Sequence, residues 1–560
     1  MDAKPWLRHY DHHVPPTLTY PENDLFTFIR TRHGRPAEAQ ALFFLGRKVT
    51  YGELFAAIET LAAALYRRGV RQGHRVTLML PNCPQMVIAY FAVLRLGAVV
   101  VMANPLNVER ELIFKFRDSS SRVLLTLDLL SRKVNAVRAE YPLDLIVYTS
   151  IADYLPFPKN LLYPLKRRLD RNSPPVEIPV DSSTATWREL MTAASPPAPE
   201  VELSPDDLAV LIYSGGTTGI SKGIMLSHRA LIANLLQISA WGQVTAEDRF
   251  LSVIPLFHGF GMSVGLNTPL ANGASIVLLP RFGASEVVAS IAVQRPTLFA
   301  GVPTMFITIK ELKNISGRDL TSLRGIFVGA APLPLPVMDE FRRMTGASLI
   351  EGYGLTEAVT AISCNPVHGL QKPGTIGIPF PDVEWRIVDL ETGDRELPPG
   401  EPGELILRCP ELMLGYLGKP EATAATLRNG WLYTGDIGVM DEDGYVTIVD
   451  RLKDLIIVSG FNVYPSEIDE VLHQHPDVLE AVAVGLPHPK KGEYVKAYVV
   501  PRSGRRPTPE ELVRFCKERL SPYMVPKEIE LRTSLPKSMI GKILRRELRE
   551  EEERRWRSEG

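Results

Sequence analysis

The stretch LAVLIYSGGTTGISKGIMLSH occupies residues 208–228. An apolar, partly β-branched run, LAVLIY (208–213), leads into a glycine-rich turn, and apolar character resumes at GIMLSH. This predicts strand, loop, strand, with the next helix starting later, where Ser227 caps HRALIANLLQI. Within YSGGTTGISKG (213–223) lie four glycines, the hydroxyls of Ser214, Thr217 and Thr218, and Lys222. Glycines let backbone N–H groups approach an anion, hydroxyls donate and lysine adds charge, so the composition suits phosphate. It is not the Walker pattern, because Lys222 lies between Ser221 and Gly223 and not between a glycine and a Ser or Thr. A loop between strands also lacks a helix dipole, leaving amides, hydroxyls and Lys222 to do the holding. Alone, the stretch fits a flexible hairpin turn equally well.

Working outward, helix-like and strand-like segments alternate from about residue 40 to 350. VTYGELFAAIETLAAALYRRGV places Thr50 as N-cap before the apolar face Leu54, Ile58, Leu61 and Leu65. RVTLML, AVVVM, RVLLTL and LDLIVYT read as strands between helices, which predicts an α/β architecture with largely parallel sheets. After Gly374 the texture becomes VEWRIVD, GELILRC and GYVTIVD between Gly/Pro/Asp turns, predicting a small antiparallel barrel or sheet. After Asp450, SEIDEVLHQHP and TPEELVRFCKERL (capped by Thr508) read as helices, and LEAVAVGL and VKAYVVP as strands. That is a small α+β unit of ordinary domain size.

At 560 residues the chain exceeds one ordinary core. Its formal net charge of -1 gives no global pull toward nucleic acid. Cys83, Cys364, Cys409 and Cys516 are scattered without a C-x-x-C pair, which disfavours a disulfide framework or zinc site and fits a reducing, cytoplasmic compartment. The opening MDAKPWLRHYDHHVPP has no apolar core of signal-peptide length, and its His12–His13 pair reads as solvated. Two uncharged runs, Val76–Leu94 and Phe250–Pro280, raise the question of a membrane span, which needs about 20 apolar residues. PNCP (81–84) splits the first into a buried strand–helix–strand unit, and the second holds too many Gly and Pro breakers, so both are expected to be buried inside the protein. FPKNLLYPLKRR (157–168) sets apolar residues beside four basic ones. It reads as a surface loop, with weak contact to the inner face of an anionic membrane as the alternative. The terminal REEEERRWRSEG reads as a solvated, fraying helix.

YSGGTTGISKG resembles the signature loop of the adenylate-forming superfamily: acyl-CoA synthetases, peptide synthetase adenylation domains and luciferases. Further motifs follow in that family's order: PLFHGFG (255–261), GAAPL (329–333), EGYGLTE (351–357), GELILRCPELMLGYLGKPEAT (403–423), YTGD (433–436), DRLKDLIIVSGFNVYPSEIDEVL (450–472) and PKSMIGKILRREL (536–548). The wording is most similar to bacterial long-chain fatty acid–CoA ligases. The resemblance implies a large adenylating domain, 1–450, made of two α/β subdomains and a small β-barrel. A small mobile α+β domain, 451–560, turns about a hinge near Lys453. It also implies a two-step reaction in which a carboxylate attacks the α-phosphorus of ATP and coenzyme A then displaces AMP.

The roles are carried over by motif. Ser214, Thr217, Thr218 and Lys222 would hold the β- and γ-phosphates as a leaving group. Tyr353 would stack on adenine between Gly352 and Gly354, and Thr356 would bond the α-phosphate. Glu357 would hold Mg²⁺, a hard cation that prefers oxygen, with Thr218 as a further ligand. Gly329, Ala330 and Ala331 would let backbone lie against adenine, and Asp436 and Arg451 would meet the ribose. Lys542 would bridge the fatty carboxylate and the α-phosphate, where anion attacks anion. His258 would stand near the acyl carboxylate, Met262, Val264 and Leu266 would line the acyl pocket, and Ser459 and Gly460 would touch coenzyme A. The absence of an acid near His258 favours an apolar, uncharged acyl group. Four alternatives stay open: an acyl-AMP ligase, an aryl or medium-chain ligase, a luciferase-like oxidase and a non-catalytic sensor. Chain length and oligomeric state, a homodimer included, are not read from the sequence.

Overall fold

The computed structural model describes residues 4–170, 175–193, 196–214, 221–312, 315, 317–458, 461–488, 492–537 and 543–559, with backbone alone at 214, 461, 492 and 556–559. Strand Leu208–Ser214 pairs antiparallel with Lys222–Ser227, Tyr213 facing Gly223 and Ser214 facing Lys222. The glycine-rich loop thus joins two strands, as its flanks predict; residues 215–220 lie outside the described residues.

That hairpin sits near one edge of an eight-stranded sheet in which six consecutive strands, from Leu208–Ser214 through Val99–Met102 and Arg75–Met79 to Thr184–Thr186, run parallel. A nine-stranded sheet repeats the plan, with six parallel strands from Ser348–Gly354 to Gln40–Phe44 and antiparallel strands at its ends. One core takes side chains from both sheets, Leu42 and Ile276 from one and Val76 and Val210 from the other, along with the helices between them. Parallel strands covered on both faces explain why the strand sequences are nearly continuous apolar runs.

The two uncharged runs belong to this core. Every residue of helix Pro84–Arg95 is buried. Arg95 is tolerated there because Glu59, at 3.2 Å, and Glu200, at 3.1 Å, pair with its guanidinium. Residues 250–280 form strand Arg249–Ser252, a short helix Gly259–Met262, a π-helical turn Ser263–Asn267 and strand Ser275–Leu278. Asn82, in the PNCP turn, ties the runs together: its amide donates to the carbonyls of Ser252 and Ile254 and accepts from Leu256 N–H at 2.9 Å. Among the described residues no helix is long and apolar enough to cross a membrane.

The expected caps form. Thr50 and Glu53 make a reciprocal capping box, Ser227 accepts from Ala230 N–H at 3.2 Å, and Thr508 pairs with Glu511. An antiparallel sheet of Glu384–Val388, Gly403–Arg408, Trp431–Met440, Leu427–Arg428 and Val446–Arg451 follows. Beyond it a fourth sheet, with its own core of Ile456, Val463, Ile468, Leu472 and Ala497, begins at Ile456.

Three surface expectations are corrected. Residues 159–169 form a helix, Lys159–Leu169, and not a loop. His13 is part-buried, its Nε2 3.5 Å from the Trp241 carbonyl, because the N-terminal segment packs over the end of helix His228–Trp241. The terminal helix Arg545–Glu559 is anchored by Glu552, which is buried and receives the Lys496 ammonium at 2.9 Å.

Candidate active site

A cavity of about 300 Å³ opens where parallel strands Gly325–Val328 and Ser348–Gly354 end, the carboxyl edge at which α/β sheets bind ligands. Chain geometry is tight here. A Cβ on Gly354 would lie 1.5 Å from the Thr360 carbonyl oxygen, and one on Gly259 would lie 2.3 Å from that of Val359. Val359 is itself β-branched at φ 62°, a strained conformation of the kind that gathers at functional sites.

The cavity's polar and backbone lining comes from Lys222, His258, Gly329, Ala330, Gly352, Tyr353, Gly354, Thr356, Glu357 and Arg451. The Tyr353 hydroxyl donates to Asp436, whose other oxygen pairs with Arg451 Nε at 2.9 Å. Register explains the pair: Asp436 and Arg451 face each other across antiparallel strands. Burial first, and then the Asp436 charge, hold the Tyr353 phenol protonated well above its usual range. Burial opposes the Arg451 charge, but Asp436 outweighs it and the guanidinium pKa ends raised.

Strand Gly415–Tyr416 adds to Lys222–Ser227 at the edge of the eight-stranded sheet and so reaches the nine-stranded one. There the Tyr416 hydroxyl donates to Glu357 Oε1 at 2.9 Å, Met413 N–H donates to the Glu357 carbonyl at 2.8 Å, and Lys222 Nζ lies 4.6 Å from the Tyr416 ring centre. Burial lowers the His258 pKa, so the ring is neutral at pH 7. Its Nδ1 accepts from Phe260 N–H at 3.2 Å, which assigns the proton to Nε2.

The same cavity has an apolar lining from Ile238, Trp241, Phe260, Val264, Phe327 and Phe380. Trp241 is fixed by its Nε1–H donating to the Asn365 carbonyl at 3.1 Å and by rings on two sides, Phe380 at 5.0 Å and Tyr10 at 5.3 Å. Glu357 is the one acid in the described lining.

Most of the residues singled out by sequence converge here, with corrections. Met262 and Leu266 are fully buried in the inter-sheet core and do not line the cavity; of the three proposed acyl-pocket residues only Val264 does. Helical periodicity decides this, turning 264 one way and 262 and 266 another. Ala331 is exposed beside the lining, and Asp436 stands behind Tyr353. Lys453 is exposed in the 3₁₀ turn Leu452–Asp454. Thr217, Thr218, Ser459, Gly460 and Lys542 lie outside the described residues, as does the Ser214 side chain. Sequence reading missed Tyr416, although it lies in a quoted motif, and missed Trp241, Phe327 and Phe380, whose positions on a buried helix, strand and loop look like ordinary core.

The family model described as AMP-binding enzyme matches residues 29–417, and that of the AMP-binding enzyme C-terminal domain matches 467–542. The chain is 41% identical over 559 residues, 99% of each chain, to a long-chain-fatty-acid–CoA ligase of Bacillus subtilis. Among solved structures it is similar to ATP-bound MatB from Rhodopseudomonas palustris, with a TM-score of 0.82 and 29% identity over 95% of this chain and 99% of that one. It is also similar to the o-succinylbenzoate coenzyme A synthetase MenE of Bacillus subtilis in complex with ATP and magnesium ion, with a TM-score of 0.78 and 30% identity over 95% of this chain and 100% of the other. With both family models falling on the segments that build this cavity and the sheet after it, the chain belongs to the AMP-binding enzyme family.

Proposed function

We propose that the protein activates a long-chain fatty acid at this cavity, as an ATP-dependent fatty acid–CoA ligase working through an acyl-AMP intermediate. The observation that carries the reading is one cavity lined by two chemically distinct sets of side chains. Tyr353, Thr356, Glu357 and Arg451 supply polar and charged groups to its lining, and Ile238, Trp241, Phe260, Val264, Phe327 and Phe380 supply apolar and aromatic surface. The apolar set offers nothing to an ammonium group and much to an alkyl chain.

In the first step a carboxylate oxygen attacks the α-phosphorus, the bond to the β-phosphate bridging oxygen breaks, and pyrophosphate leaves. Adenine lies along Tyr353 and the Gly329–Ala330 backbone, and the ribose hydroxyls exchange with the Tyr353 hydroxyl for the Asp436 carboxylate. The Thr356 hydroxyl donates to the α-phosphate. Lys222, at the foot of the 214–222 loop with Ser214, Thr217 and Thr218, draws the leaving pyrophosphate. His258 keeps its proton on Nε2 and so offers a donor, not a positive charge, to the acyl carboxylate. The Glu357 carboxylate, with Thr218 as a further ligand, suits Mg²⁺, which when bound would neutralise phosphate charge, and the Tyr416 hydroxyl orients that carboxylate by donating to it. Lys542 from the 451–560 unit supplies the cation between the two anions. In the second step that unit turns near Lys453, Ser459 and Gly460 approach the pantetheine arm, and the thiolate displaces AMP from the acyl carbonyl.

A coupled assay of AMP release over acids of increasing chain length, with and without coenzyme A, tests this. Coenzyme A-dependent turnover that rises toward palmitate is expected. Turnover only with aryl or short acids, or none that needs coenzyme A, would overturn it.

A further inference from the structure

Helix Lys159–Leu169 is mounted with its apolar face outward. At 100° per residue, Leu161, Leu165, Leu169 and Leu162 fall within an arc of about 100° on one side of the helix. They are 67%, 56%, 76% and 55% exposed. The opposite face, Asn160, Tyr163 and Arg167, is the one turned toward the protein. Arg167 anchors it by pairing with Asp128 at 2.8 Å, with both side chains mostly covered. A surface helix normally buries its leucines and exposes its cations, so this inversion needs a reason. Phe157, 78% exposed just before the helix, extends the same patch.

Cations border the leucines. Lys166 and Arg168 flank them and are exposed, and Lys159 at the first turn donates to the Leu45 carbonyl at 3.4 Å. That contact brings the exposed turn at 45–48, with Leu45, Arg47 and Lys48, alongside. From Phe157 to Leu169 the sequence holds four basic residues and no acid; Asp170 follows at the C-cap. A convex ridge of leucines and a phenylalanine ringed by lysine and arginine is complementary to the headgroup layer of an anionic bilayer, where alkyl side chains enter the acyl boundary and cations meet phosphates.

We propose that helix Lys159–Leu169, with Phe157 and the 45–48 turn, is a docking surface for anionic lipid bilayers. Docking would bring the enzyme to the phase in which a long-chain acid dissolves; that consequence rests on the proposed function, whereas the docking itself does not.

The test is flotation of the purified full-length chain with phosphatidylcholine vesicles, with and without phosphatidylglycerol. The wild type is expected to float with the anionic vesicles and to be released as salt is raised. The variant L161Q/L165Q/L169Q should lower the bound fraction about ten-fold or more, and K166Q/R168Q should lose the preference for phosphatidylglycerol. Both variants replace exposed side chains, and their thermal unfolding and turnover of a water-soluble acid without vesicles should match wild type. If wild type fails to float, or the leucine variant floats as wild type does, the proposal is wrong. A wild-type dimer that L161Q/L165Q/L169Q dissociates, without vesicle binding, would also overturn it and assign the patch to self-association. Failure of the ligase assay leaves this result untouched, so the two readings fail separately.

Discussion

The cavity and the fourth sheet deal with buried charge in opposite ways. Around the cavity, ionisable groups are kept neutral or held by one partner. His258 is held neutral by burial, and Glu411, fully buried beside helix His228–Trp241, has its pKa pushed up to about 8, chiefly by burial, while Gln237 Nε2 donates to it at 3.0 Å. In the fourth sheet, charge is met with charge. Lys496 sits within 3.7 Å of Glu528, 3.0 Å of Glu530 and 2.9 Å of Glu552, Arg532 pairs with Glu530 and Glu551, and Arg545 with Asp469. Lys537 and Arg546 are likewise paired, with Glu480 and Glu550. The sequence near Lys542 reads as a basic segment with one more lysine in it. Lys537, Arg545 and Arg546 are each ion-paired with a carboxylate, whereas Lys542 lies outside the described residues. Among the described residues the cavity lining carries three charged side chains, Lys222, Glu357 and Arg451, whereas the fourth sheet gathers three carboxylates around Lys496 alone.

The sharpest way to break that contrast is to remove one charge from the paired region. Lys496→Met leaves Glu552 buried without its nearest cation and is expected to cost about 3–5 kcal/mol, measured by denaturant unfolding. A loss below about 1 kcal/mol would mean the network is surface-like and the contrast overstated. Next, Lys542→Ala should lower acyl-AMP formation about 10²–10³-fold while thioester formation from supplied palmitoyl-AMP stays close to wild type. Equal loss in both half-reactions would contradict the role proposed for Lys542.

At the neutral wall, Trp241→Phe enlarges the apolar end and should shift kcat/KM toward longer acids by roughly ten-fold relative to shorter ones, the discrimination a few methylenes can give. An unchanged ranking would remove Trp241 from the acyl wall. The last prediction concerns Glu411. Its folded pKa, about 8, lies above the ordinary 4.5, so the folded form holds a proton the unfolded chain has released. That stabilisation is full below pH 4.5 and is lost as pH rises through about 8. Glu411→Gln mimics the protonated acid, so its stability relative to wild type should rise with pH up to about 8 and then level off. A difference independent of pH would show that Glu411 is ionised throughout.

How much was legible in the sequence follows from the kind of signal each element carries. Caps at Thr50, Ser227 and Thr508, the parallel strands, and the strand–loop–strand setting of the 214–222 loop depend on local pattern and were readable. Glu357, Tyr353, Asp436 and Arg451 were found through ordered motifs, although the Tyr353–Asp436–Arg451 chain depends on strand register, which no motif states. Met262, Val264 and Leu266 were expected to line the pocket together, whereas a short helix and a π turn divide them and only Val264 reaches the cavity. Trp241 and Phe380 could not be told from core, since a cavity wall and a core have the same composition. Helix Lys159–Leu169 was taken for a loop because Pro164 and its mixed polarity hide the pattern; only the direction of mounting reveals the exposed leucines.

The central claim, that one cavity holds nucleotide and acyl chain end to end, is tested most directly by a crystal structure with a non-hydrolysable palmitoyl-adenylate analogue. The account predicts adenine against Tyr353, the phosphate mimic at Thr356, and the alkyl chain passing Phe260 and Val264 toward Trp241. An alkyl chain leaving the adenylate in another direction, with Trp241 and Phe380 still packed as they are here, would contradict it.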